Sequence, residues 1–76
     1  MLKIIDKSWF DPNTDSHCFR ATWDGESITV RVAIETLEEG IGKAEIAGLA
    51  ERKIVEAVEA GTPVPAEVLI TTKDRG

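Results

Sequence analysis

Asp24-Gly25 stands between two runs in which apolar and polar residues alternate. An Asp-Gly pair flanked by period-two alternation is a strong local signal for a β-hairpin, because a type I′ turn needs positive φ at both central residues. Glycine adopts that conformation without steric cost, and aspartate tolerates it better than most residues. Before the turn, Phe19, Ala21 and Trp23 share one side of an extended strand, and Arg20 and Thr22 the other. After it, Ile28, Val30, Val32 and Ile34 share one side, opposite Ser27, Thr29, Arg31 and Ala33. One apolar and one polar face imply a sheet covered from one side only.

With 76 residues the chain is read as a single domain, residues 1–76. A chain of this size buries only about 60% of its unfolded surface, so the core is thin. Helices, or a second subunit, must cover the apolar face of the hairpin. The formal net charge is -5, which leaves out the cationic surface that duplex nucleic acid or an anionic membrane demands. Cys18 is the single cysteine, so no internal disulfide forms, as suits a reducing compartment. Charge interrupts the first residues, Met1 to Lys7, at once, against a signal peptide or membrane span. The expectation is a complete cytoplasmic protein.

Leu2 to Ile5 reads as a short edge strand, and Ser8 to Ser16 as a loop built on Asp11-Pro12-Asn13-Thr14-Asp15. Thr36 with Glu39 has capping-box spacing and opens a helical turn that Gly40 ends. From Lys43 to Ala60 the pattern is helical: Ile46, Ala47, Ala50, Ile54, Ala57 and Val58 form one stripe. Arg52 and Glu56 are spaced to pair. Gly61 and Pro63 end the helix. Glu67 to Thr72 reads as a last strand or extended tail, and Lys73 to Gly76 as frayed. Residues 34–60 hold seven acidic and three basic side chains, a balance of -4, so the helical half carries most of the charge. The predicted fold is α+β, a three- or four-stranded antiparallel sheet with one face covered by one short and one long helix.

No motif specifies chemistry. His17 and Cys18 are adjacent on a strand and so point to opposite faces, which opposes a nucleophile-base pair. Two ligands fall short of a structural zinc site. Asp11, Asn13 and Asp15 spell the start of a calcium loop, but Ser16 stands where the turn needs Gly and Thr22 where a bidentate Glu is needed. Gly40-Ile41-Gly42 lacks the spacing of either phosphate-binding glycine motif. No catalytic residue, metal ligand or cofactor is assigned, and the chain is read as non-enzymatic.

The aromatic content is Trp9, Phe10, Phe19 and Trp23. Phe19 and Trp23 belong to the core face. Trp9 and Phe10, in the segment before the hairpin, are the candidate protein contacts, one capping the core edge and the other an anchor for a partner. Leu49 and Val55 flank or oppose the helix stripe and add apolar surface that a monomer leaves unburied. The expected function is therefore a protein-interaction module that self-associates, with a protein partner such as a second copy. The alternative is a small ligand- or metal-binding regulator using loop 9–18 with His17 and Cys18.

The order Trp9, Phe19-x-Ala21, an Asp24-Gly25 turn, Ile28-x-Val30-x-Val32, a Leu37 turn, a helix and Val68-Leu69-Ile70-Thr71 resembles a family of short uncharacterised bacterial proteins catalogued as a domain of unknown function. Its pattern runs W-D, F-x-A, a Gly turn, a V- or C-rich strand, A-L, a helix and V-L-I-T. The chain departs from it in reading Trp9-Phe10-Asp11 where the family has Trp-Asp. The resemblance covers nearly the whole chain and implies an α+β fold with a small sheet backed by helices. It implies no activity, so no functional residue is carried over.

Overall fold

The computed structural model describes residues 1–76. Four strands, β1 (Leu2–Asp11), β2 (Ser16–Trp23), β3 (Glu26–Ala33) and β4 (Glu67–Ile70), form one sheet in the order β1-β2-β3-β4. Three helices, α1 (Ile34–Glu38), α2 (Lys43–Glu59) and α3 (Thr72–Arg75), complete the α+β domain.

The hairpin forms as the Asp-Gly pair dictates. Asp24 and Gly25 take φ of 48° and 85°, and β2 runs antiparallel to β3 from Trp23↔Glu26 to Ser16↔Ala33 without a slip. The apolar face is buried: Phe19, Ala21, Ile28, Val30 and Val32 all lie in the core. Trp23 packs against it while keeping part of its ring in solvent. β3 ends at Ala33, and Ile34, which the alternation placed on the strand, starts α1.

The expectation of an all-antiparallel sheet is corrected at β4, which pairs parallel to β3 from Thr29↔Glu67 to Val32↔Ile70. Parallel neighbours need a crossover of a dozen residues or more. Here α2 supplies it, carrying the chain back along the strands so that β4 starts beside Thr29, in the first half of β3. The sheet is therefore mixed.

β1 is also longer than the sequence suggested. Ile4 pairs with Ala21 and Ser8 with Phe19, so β1 holds two more residues than β2 across this stretch. This bulge, with residues 5–7 standing opposite Arg20 alone, interrupts the pairing and hides the second half of the strand. Ser8 to Asp11, expected in a loop, pair with Phe19 to Ser16. Only residues 12–15 connect β1 to β2, closed by Asp15 at φ 51° and by Asn13 N–H donating to Asp11 Oδ1 at 3.0 Å.

α2 lays Ile46, Leu49, Ala50 and Ile54 on the sheet. Leu49 is thus a core residue and not surplus surface. The stripe rotates off the sheet towards the C-terminal end, where Val58 is 46% exposed. Gly61, at φ 87°, ends the helix in the left-handed conformation. The anticipated Arg52–Glu56 pair is not among the ion pairs, whereas Glu51 Oε1 accepts the Leu2 N–H at 2.9 Å and ties α2 to β1. α1 begins two residues before Thr36, which lies buried inside it. Glu39, expected to close a capping box, instead accepts from Thr72 and Arg75.

Only 16 of 76 residues are buried, so each large one matters. Ile54→Ala removes a fully buried side chain and is expected to cost about 2–5 kcal/mol in urea unfolding. Val55→Ala, one position along at 36% exposure, is expected to stay within about 0.5 kcal/mol.

Candidate functional site

α2 covers one face of the sheet, and the opposite face carries no helix. Strand pairing sets a row across that open face: Trp9 opposite Cys18, Cys18 opposite Arg31, and Arg31 opposite Leu69. Leu69 is 47% exposed and Trp9 39%. Phe10, one residue on, sits on the helix side, opposite His17, and is 47% exposed. The two sequence candidates for protein contact therefore stand on a strand, not in a loop, and point to opposite faces of the sheet.

Arg31 organises the open face. Its Nε and Nη2 donate to the two carboxylate oxygens of Glu67 at 3.0 Å each. Its Nη1 reaches Asp11 Oδ2 at 2.8 Å, Thr14 Oγ1 at 2.8 Å, Ser16 Oγ at 3.2 Å and Cys18 Sγ at 3.3 Å. One side chain so ties the end of β1, the following turn, β2 and β4 to β3. The guanidinium holds the carboxyls of Asp11 and Glu67 below their usual range, and Asn13 N–H adds to the effect on Asp11. The two carboxylates in turn raise Arg31. Cys18 is fully buried beneath this cluster despite lying on the polar face.

Arg20 is the other open-face arginine. It donates to Ser27 Oγ at 3.2 Å and Thr29 Oγ1 at 3.0 Å, and its guanidinium carbon sits 5.2 Å from the centre of the Trp9 ring. A cation over the face of an indole is attracted by the ring quadrupole. Arg20 thus ties Trp9 of β1 to β2.

His17 and Cys18 are not brought together. His17 packs against Phe19 with ring centroids 5.0 Å apart, and Cys18 points to Arg31 on the opposite side.

The C-terminal residues, expected to fray, form a hook. Thr71 N–H donates to Asp74 Oδ2 at 2.7 Å, capping α3. Arg75 grips Glu45 at 2.7 and 3.0 Å and Glu39 at 3.1 Å, and Lys53 meets Asp74 at 3.0 Å. Arg75 lowers the Glu45 carboxyl. Burial pushes the Asp74 carboxyl up, but the Thr71 N–H and Lys53 outweigh it and the net shift is downward. The signal for this cap was present in Thr71-x-x-Asp74, which has the same spacing as Thr36 to Glu39. A cavity of about 340 Å³ beside the hook is lined by residues of both charge signs, among them Arg52, Lys53, Glu56 and Asp74.

No helix is long and apolar enough to cross a membrane. No family model, curated protein or solved structure matches the chain.

Asp11, Glu45, Glu67 and Asp74 are all depressed in the folded state. The unfolded chain therefore binds more protons in acid, and these groups stabilise the fold above their unfolded values. Urea midpoints should be flat from neutrality to about pH 5 and fall progressively below about pH 4.5. Arg31→Gln should lower the neutral midpoint and shrink the acid dependence, because Asp11 and Glu67 then titrate nearer their ordinary values.

Proposed function

We propose that this chain is a non-enzymatic protein-interaction module that self-associates through the second half of β1. The observation that carries this reading is the state of Trp9 and Phe10. Two large aromatic side chains stand side by side at a sheet edge, 39% and 47% exposed, on opposite faces of the strand. Aromatic side chains contribute large contact area at little entropic cost and are enriched among the residues that dominate association energies. Arg20 pre-orders Trp9, so less side-chain freedom is lost when a partner covers it. Two of the charges next to this segment are already satisfied within the chain, Asp11 by Arg31 and Arg20 by hydroxyls. A partner therefore meets apolar surface beside a single unpaired charge, that of Lys7.

The alternative, a ligand- or metal-binding regulator acting through residues 9–18, needs His17 and Cys18 to converge. Their placement on opposite faces of β2 favours the interaction reading.

Sedimentation equilibrium from micromolar to millimolar chain should show a mass rising from that of the 8.3 kDa monomer towards twice that value. The double variant Trp9→Ala/Phe10→Ala should remain monomeric with an unchanged far-ultraviolet circular dichroism spectrum. Val55→Ala/Val58→Ala, on the exposed side of α2, should associate as the parent does. A monomeric parent at the highest concentration, or equal association of the aromatic variant, overturns the reading.

A further inference from the structure

We propose that two copies join edge to edge, the Lys7–Asp11 segments of their β1 strands pairing antiparallel in a register centred on Trp9. This rests on the self-association reading above and specifies its geometry.

β1 is an outer strand of the sheet, so alternate backbone N–H and C=O groups along it face away from β2. Folded proteins guard such edges with charges, bulges or proline. The first half of β1 has these guards: Lys3, the bulge at residues 5–7, and Asp6 with Lys43 at 3.8 Å from its carboxylate. The second half lacks them. Ser8, Trp9 and Phe10 are exposed, carry no charge and pair regularly with β2 on their inner side. Pro12 lies beyond the strand, in the turn.

The segment Lys7-Ser8-Trp9-Phe10-Asp11 is complementary to itself when read backwards. A two-fold axis at Trp9 sets Trp9 against Trp9, Ser8 against Phe10 and Lys7 against Asp11, the last two pairs occurring twice. Opposite charges directly across an antiparallel pair stabilise it, and aromatic pairs do so as well. Face parity selects among registers. Addition about an axis normal to the sheet keeps each face on its own side, so odd positions meet odd positions. A register with Trp9 opposite Phe10 would set an open-face residue against a helix-face residue and is excluded. Sliding by one pair in either direction keeps parity but sets Trp9 against Asp11, or Lys7 against Trp9, and loses both charge pairs. The Trp9 register alone satisfies parity and charge together. It makes one continuous sheet of eight strands from two sheets of four, through the small contact typical of transient complexes.

The test is an isotope-filtered nuclear Overhauser experiment on an equal mixture of ¹³C-labelled and unlabelled full chain, at a concentration where sedimentation shows dimer. Contacts between copies linking Ser8 with Phe10, and Trp9 with Trp9, are expected. Lys7→Asp sets acid against Asp11 twice and should weaken association about tenfold. Lys3→Asp makes the same charge change outside the paired segment and should leave association near the parent value. Inter-copy contacts from Leu69 and Thr29 instead would place the dimer on the open face, overturning edge pairing while leaving self-association standing. Equal effects of Lys7→Asp and Lys3→Asp would overturn the register. A chain monomeric throughout would overturn both this proposal and the reading it rests on.

Discussion

The side chains of β3 are divided between two environments that cannot be exchanged. Ile28, Val30 and Val32 lie in the core at 1% exposure or less, while Arg31, between two of them, projects from the opposite face into a cluster of oxygen and sulfur acceptors. A slip of one residue would push Arg31 into the core and three aliphatic side chains into water. Register is thus fixed from both faces at once. The same guanidinium spans to β4 through Glu67 and to the end of β1 through Asp11, so the strand that sets the register also fixes where its more distant neighbours lie. With so few residues buried, this polar brace does on the open face what a second layer of helices does in a larger protein.

The hairpin was legible because its determinants are local. Asp24-Gly25 fixes the turn, and the alternation on either side fixes which residues face the core. The stripe through Ile46, Ala50 and Ile54 was legible for the same reason, as was the stop at Gly61. What escaped was non-local. The direction of β4 is set by the crossover helix rather than by Val68 or Ile70, although a long helix between two strands of one sheet already favours parallel pairing. The second half of β1 was hidden because the bulge at 5–7 shifts the pairing just where an alternation count would begin. Neither Cys18 nor Ser16 looked like a buried residue on the polar face. Their burial depends on Arg31 folding over them, a contact across 13 and 15 positions of sequence.

The candidate contact residues were legible as types and not as places. Trp9 and Phe10 stood out as aromatics with no periodic core position to occupy. Their true context, an edge strand with one residue facing each side, follows from pairing with Cys18 and His17. That context changes what they can do. On a mobile loop, an aromatic pair would lose conformational freedom on binding. On a strand whose inner side is already bonded to β2, the backbone is ordered beforehand and the outer side offers directional donors and acceptors.

The two edges of the sheet are not equivalent, and their difference explains why association is assigned to one of them. β4 has four residues, is preceded by Pro63 and Pro65, and is followed directly by Thr71 and the hook of α3. An incoming strand would find only a short edge there, with stiff chain before it and a pinned helix after it. β1 has ten residues, and from Ser8 onwards nothing in the chain covers its outer side. Edge protection is spent on Lys3, Asp6 and the bulge, where Leu2 and Ile4 lean on the core and a strand added from outside would compete with that packing. Beyond the bulge Trp9 and Phe10 keep 39% and 47% of their surface exposed, so an added strand there covers aromatic surface that the chain itself leaves open.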